Sequence, residues 1–145
     1  MKKIAAFFIF VFISVNVSFA SELQLEVIGA ATASNLYLGY LAIGIIADSQ
    51  TKEVYDGEKT VVFIDSISAQ MNVQREYLQK FLASKEVPEA DLAIVKKMVE
   101  CFSLLVEEGN YLADYVKTGN KNSLSSYDGK RKQAWALISD ILGLD

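Results

Sequence analysis

The chain has 145 residues, a net charge of −4, one cysteine and no histidine. An acidic balance argues against nucleic-acid phosphates and anionic lipids as partners. The absence of histidine removes the commonest general base and the commonest protein ligand of zinc, iron and haem, so we expect neither an enzyme nor a cofactor.

The first twenty residues have the three parts of a secretory signal peptide. Two lysines supply the basic start, residues 4–17 are uncharged and largely apolar, and the small residues Ser18 and Ala20 suit signal peptidase. The sequence therefore predicts export, most simply to a bacterial periplasm, with cleavage after Ala20. The alternative is an uncleaved anchor, although the run is shorter than the roughly 20 residues that span a bilayer. Cleavage leaves a single domain, residues 21–145, which is more acidic than the whole chain because two lysines are removed.

The first helix of that domain is unusual, because residues 27–47 contain no charge and place apolar or small side chains all round. Such a helix lies either at the centre of a bundle or in a membrane. Its length permits a span, but polar groups such as Thr32 and Asn35 would be penalised in hydrocarbon. We expect burial in the bundle, with no stable membrane insertion after signal cleavage.

Apolar residues recur every three to four positions through the rest of the chain, which predicts helices. A second helix begins at Asp56, with its pattern broken near Gln74, and a short turn follows before a third helix over residues 89–118. Gly119 ends the third helix, and a weaker fourth helix follows. Short polar links between four helices predict an all-α fold, an up-and-down four-helix bundle.

The cysteine and the charged side chains have simple structural interpretations. Cys101 lies within an apolar stripe, so we expect a small buried residue, the alternative being an intermolecular disulfide. The carboxylates, including the adjacent Glu107 and Glu108, are predicted to form a solvated face. The basic run at residues 130–132 is predicted to be solvated or paired with neighbouring carboxylates.

The tyrosines are the one group of residues in the sequence that suggests a binding site. Tyr37 and Tyr40 share a face of the first helix, and Tyr111 and Tyr115 share a face of the third. If these faces met near one end of the bundle with Asn35 nearby, they would line a pocket with aromatic walls and hydroxyl tips. The alternative is that the tyrosines are boundary residues, with rings against the core and hydroxyls in water.

Four stretches of sequence resemble short exported bacterial all-helical proteins of unknown function. They are the run Tyr-Leu-Ala-Ile-Gly at residues 40–44, then residues 46–48, 54–56 and 130–135. The resemblance covers most of the predicted mature chain, and it implies no activity, ligand or catalytic residue.

These observations favour a non-enzymatic exported bundle that binds a protein partner or itself. The alternative is a module that binds a small molecule in a tyrosine-lined pocket between the first and third helices. An enzyme would need two carboxylates held close together in a cleft.

Overall fold

The computed structural model describes the backbone of residues 2–144 and the side chains of residues 23–144. The described residues form four α-helices and no strand, which confirms the predicted all-α class and four-helix bundle. The helices are α1 (Lys2–Thr51), α2 (Gly57–Ser84), α3 (Leu92–Thr118) and α4 (Lys121–Leu142), with a short 3-10 helix, Glu89–Asp91, before α3.

The chain divides into two compact units, one ending at Thr32 and one beginning at Ala33. The first unit holds an apolar helix at the N terminus, which fits a signal sequence or a membrane anchor. In the part of this unit whose side chains are described, Leu23, Val27 and Ile28 are each at least half exposed. The predicted cleavage after Ala20 lies outside the residues whose side chains are described.

One segment of the described helices, Leu23–Thr51, is long and apolar enough to cross a bilayer. The core helix of a soluble bundle meets the same criterion, so length and composition do not distinguish the two. Within the second unit, Leu36 and Ile43 of this segment are fully buried. From Ala33 onward the charge-free helix therefore contributes to the bundle core.

Helix ends follow the predicted signals. Asp56 is the N-cap of α2, and its carboxylate accepts a hydrogen bond of 2.8 Å from the backbone N–H of Lys59. Gly119 ends α3 with a φ of 69°, the left-handed conformation that glycine adopts without strain. The predicted gap in the apolar stripe near Gln74 does not end the helix, because α2 continues through it to Ser84. A polar residue there interrupts the apolar stripe without interrupting the backbone hydrogen bonds.

In the second unit, α3 packs against both α2 and α4. Lys97 near the start of α3 pairs with Asp140 near the end of α4, and Lys117 near the end of α3 approaches Asp65 in the first half of α2. Both neighbours therefore run antiparallel to α3. The fully buried apolar side chains come from all four helices: Leu36, Ile43, Ile64, Cys101, Phe102, Leu105, Ala134 and Ile138.

The close contact of α2 with α3 depends on Gly109. A Cβ at this position would overlap Ser68 Oγ and lie 3.3 Å from Ile64 Cγ2. We expect Gly109→Ala to lower the free energy of unfolding by about 1–3 kcal/mol, because both neighbours are buried. Gly129 in α4 is the matched control, since a Cβ there meets no atom within 4 Å. Gly129→Ala should raise the free energy of unfolding by about 0.5–1 kcal/mol through higher helix propensity.

Urea unfolding followed by far-UV circular dichroism measures both changes. Opposite signs for the two alanine variants are the expected result. A Gly109→Ala protein as stable as the original would show that α2 and α3 are not held as closely as the structure describes.

Candidate functional site

Two of the predicted site residues lie together at the contact between α1 and α4. The ring of Tyr40 is 5.3 Å from the ring of Trp135 between centroids, and the ring of Tyr37 is 6.4 Å from it. All three side chains keep part of their surface in solvent. They form an aromatic cluster that joins the two helices, with geometry typical of packed aromatic pairs.

Arg131 of α4 lies beside this cluster and links three helices. Its guanidinium is 3.9 Å from the centroid of the Tyr40 ring. The same group donates hydrogen bonds to the Tyr40 carbonyl oxygen at 3.2 Å and to Glu108 Oε1 of α3 at 2.8 Å. Gly44 of α1 makes room for it, because a Cβ at that position would overlap the guanidinium. Arg131 therefore combines cation–π stacking, a backbone contact and an ion pair.

Glu108 is fully buried, and the prediction that it belongs to a solvated face is wrong. Burial raises the pKa of its carboxyl to about 7, against the hydrogen bond and positive charge of Arg131, which lower it. Its second oxygen, Oε2, has no hydrogen-bond partner among the described residues. The neighbouring Glu107 does face solvent and pairs with Lys130 at 2.5 Å. Adjacent residues on a helix point in different directions, and here only one of the two reaches water.

Two other titratable groups near Glu108, the Cys101 thiol and the Tyr127 hydroxyl, are held in their neutral forms. Burial raises the pKa of the Cys101 thiol to about 12, and the negative charges of Glu108 and Glu100 add to the effect. Burial likewise raises the pKa of Tyr127 to about 12, although the charge of Arg131 lowers it. The predicted burial of Cys101 is confirmed, and its thiol is unreactive because thiolate is the nucleophilic form.

The remaining predicted site residues have separate surroundings. Asn35 donates a hydrogen bond of 3.1 Å to Gln74 Oε1, so it links α1 with α2 rather than with α4. Tyr111 is exposed and Tyr115 is half-buried, and neither makes an aromatic contact with another described residue. The structure thus joins Tyr37 with Tyr40 and adds Trp135. The pocket formed by all five residues stays a prediction.

A shallow groove lies elsewhere, between the start of α2 and the end of α3. Its lining is mainly apolar and includes none of the predicted site residues: Gly57, Glu58, Val61, Val62, Val116 and Lys117. Among the described residues, no three His, Cys, Asp or Glu side chains cluster as a metal site. The prediction that the protein has no cofactor is neither supported nor opposed by this.

The side of α1 that points away from the core is apolar. Within the second unit, Ser34, Leu38, Leu41 and Ile45 follow one another at spacings of four, three and four residues. Leu38 is 59% exposed and Ile45 is 62% exposed, whereas Leu41 is half-buried and Ser34 is exposed. We call these four residues the outer face of α1. Apolar side chains at this spacing are typical of a helix that packs against another helix.

The sequence contained signals for the residues that the tyrosine hypothesis missed. Glu108 follows Leu105 by three positions and precedes Leu112 by four, so the apolar stripe of α3 passes through it. Arg131 lies in the same way between Tyr127 and Ala134 on the buried side of α4. One charge of each sign on two inward-facing stripes indicates a buried ion pair.

Comparisons of the chain with known proteins do not identify a relative. No family model matches it, and no curated protein or solved structure matches it significantly. The resemblance to short exported bacterial proteins therefore stays a prediction.

Proposed function

We propose that this chain is an exported, non-enzymatic helical bundle that binds a helix of a protein partner through the outer face of α1. The exposure of Leu38 and Ile45 supports this most strongly, because the opposite side of the same helix is already buried in the bundle. Exposed apolar side chains that adjoin one another are typical of interaction sites. Their spacing of seven residues favours a helix as the partner.

Three features of the N-terminal residues support export. A basic start, an apolar helix and small residues before Ser21 match what signal peptidase processes. Loss of the leader would also remove two lysines and leave a more acidic domain. A net negative charge helps to keep an exported domain soluble, and the outer face of α1 contains no charged residue.

The surroundings of Glu108 support a non-enzymatic role for the chain. A carboxyl with a pKa near 7 is suited to general acid–base catalysis. This one has no exposed surface, and its partner is Arg131 rather than a second carboxylate. A group closed in by three helices cannot contact a substrate, so its role is to hold those helices together.

In-cell photo-crosslinking tests the proposal. The full chain is expressed with its own leader in bacteria, with a photoreactive amino acid at position 45 in one strain and at position 73 in another. Val73 is the matched control, because it is 50% exposed on α2. The interaction predicts an adduct from position 45, mapped to a helical segment of its partner, at several times the yield from position 73. The recovered protein should have the mass of a chain that begins at Ser21.

Equal yields from the two positions would contradict the proposed surface. A recovered protein that keeps residues 1–20 and remains with the membrane would contradict the proposed export and favour an anchor.

A further inference from the structure

We infer that Glu108, Arg131 and Tyr40 form a latch that opens on protonation: when Glu108 takes up a proton, Arg131 leaves the Tyr40 ring and moves into solvent. Opening uncovers one face of that ring and removes a hydrogen bond between α4 and α1. The latch uses none of the outer-face residues of α1, so it is independent of the proposed function.

The two ends of the ion pair differ in their access to water. The side chain of Glu108 is fully buried, whereas the side chain of Arg131 is 26% exposed. Arg131 is also the one hydrogen-bond partner of the Glu108 carboxylate among the described residues. Arginine keeps its charge at any ordinary pH. A protonated Glu108 can therefore stay in the core as a neutral group, while Arg131, still charged and already in contact with water, is free to leave.

Thermodynamic reciprocity gives the direction of the change. Burial raises the pKa of Glu108 to about 7, and the hydrogen bond and charge of Arg131 lower it. Glu108 therefore binds a proton less tightly while Arg131 contacts it. The proton must in turn weaken the contact with Arg131 by the same factor, so the latch is closed above pH 7 and open below it. Overall stability changes in the opposite sense, because a neutral carboxyl costs less free energy to bury than a charged one.

Glu108 changes its charge near neutral pH, whereas its titratable neighbours on α3 and α4 do not. Burial raises the pKa of Cys101 and of Tyr127 to about 12, so both stay neutral. On α1, Tyr40 faces Arg131 with its ring and its carbonyl oxygen. The chain has no histidine, so no imidazole titrates in this range. The other charges that act on Cys101 or Tyr127 are exposed carboxylates of α1, α3 and α4, and none comes from the described part of α2: Asp48, Glu100 and Asp128.

Opening of the latch affects the contact of α4 with α1 more than its contact with α3. Among the described residues, the bond from Arg131 to the Tyr40 carbonyl is the only hydrogen bond between α4 and α1. The aromatic contacts of Trp135 are the other described link between these two helices. Two ion pairs that do not involve Glu108 join α3 with α4: Lys97 with Asp140, and Glu107 with Lys130.

Chemical modification of arginine measures where the Arg131 side chain lies. The chain has two arginines, Arg75 and Arg131, and phenylglyoxal modifies guanidinium groups that solvent reaches. Arg75 of α2 is half-buried and is the internal reference, so the reagent's own dependence on pH cancels in the ratio of the two products. The protein is purified after expression of the full chain with its own leader. We expect the ratio of Arg131 to Arg75 modification, measured by peptide mass spectrometry, to be several times higher near pH 6 than near pH 8.

Glu108→Gln should give the high ratio at both pH values, because glutamine reproduces the neutral carboxyl. Glu108→Met, which also removes the acceptor oxygen, is a second variant with the same expected result. Glu107→Gln is the matched control and should keep the change with pH. Circular dichroism at each pH shows that the proteins compared are folded.

Fluorescence of Trp135, the one tryptophan of the chain, is an independent readout because its ring lies 5.3 Å from the Tyr40 ring. It should change with a midpoint near pH 7 in the original protein and stay constant in Glu108→Gln. A modification ratio that is equal near pH 6 and near pH 8 in the folded original protein would overturn the latch. A change with pH that persists in Glu108→Gln or Glu108→Met would overturn it as well, because another group would then control Arg131.

Discussion

Replacing Arg131 with alanine is expected to lower the free energy of unfolding by about 3–5 kcal/mol near pH 8. The change removes the hydrogen bond and the positive charge that lower the pKa of Glu108, so the buried carboxyl must either stay charged without a partner or take up a proton near pH 8, and both are costly. It would also remove the guanidinium from the Tyr40 ring and from the Tyr40 carbonyl. Near pH 5 the loss should be smaller, because Glu108 takes up a proton and its charge disappears.

Lys130→Ala is the matched control for this change. Lys130 pairs with the partly exposed Glu107, and exposed pairs contribute about 0–1 kcal/mol. Urea unfolding of the original protein and of the two alanine variants, near pH 8 and near pH 5, measures the free energies of unfolding that are compared. Similar losses for Arg131→Ala and Lys130→Ala would show that the buried pair does not hold the helices together.

Stability is expected to fall as the pH rises from about 4.5 to 7, because of Glu108. Its pKa is raised by burial to about 7 in the folded protein, above the value of 4.5 that applies without burial. Between these values the folded state binds more protons than the unfolded state, so raising the pH favours unfolding. This contribution is fully present below pH 4.5 and lost above pH 7. Its size is on the order of 3 kcal/mol, at 1.36 kcal/mol for each pKa unit.

Glu108→Gln is expected to abolish most of this pH dependence, because glutamine keeps the shape and the acceptor oxygen without the titration. Glu107→Gln, one position away and exposed to solvent, should retain it. Thermal unfolding of the original protein and of the two glutamine variants across pH 4.5–8 measures how the stability of each changes with pH. A slope that persists in Glu108→Gln would assign the pH dependence to other carboxylates.

The fold was largely predictable from the sequence, because apolar residues recur at helical spacing in α2, α3 and α4 and cap residues mark several helix ends. Asp56 and Gly119 are cases in which the chemistry of one residue fixes a boundary. The start of α1 is not predicted by the sequence, which indicates a signal peptide and a separate first helix, whereas α1 begins at Lys2 and is continuous to Thr51. Nothing in an apolar sequence marks a helix end when no proline or glycine cap is present.

The site was less predictable, because it depends on which faces of different helices meet. Helical spacing correctly predicts that Tyr37 and Tyr40 lie on the same side of α1. The rotation of α1 then turns them toward Trp135 of α4, which no local pattern in α1 specifies. The prediction for Glu108 is wrong because its place in the apolar stripe of α3 carries it into the core despite its charge. Burial of a charge depends on its partner, and Arg131 lies 23 residues further along the chain.

The most direct test of the central claim is whether the outer face of α1 is covered in the cell. Ile45→Cys and Val73→Cys each place a thiol at a position at least half exposed in the isolated chain, while Cys101 is buried and does not react. A small maleimide added to intact bacteria should modify Val73→Cys readily and Ile45→Cys several times more slowly, with equal rates after denaturation. Equal modification of both cysteines in intact bacteria would show that the outer face of α1 is free in solution, and would contradict its role as a binding surface.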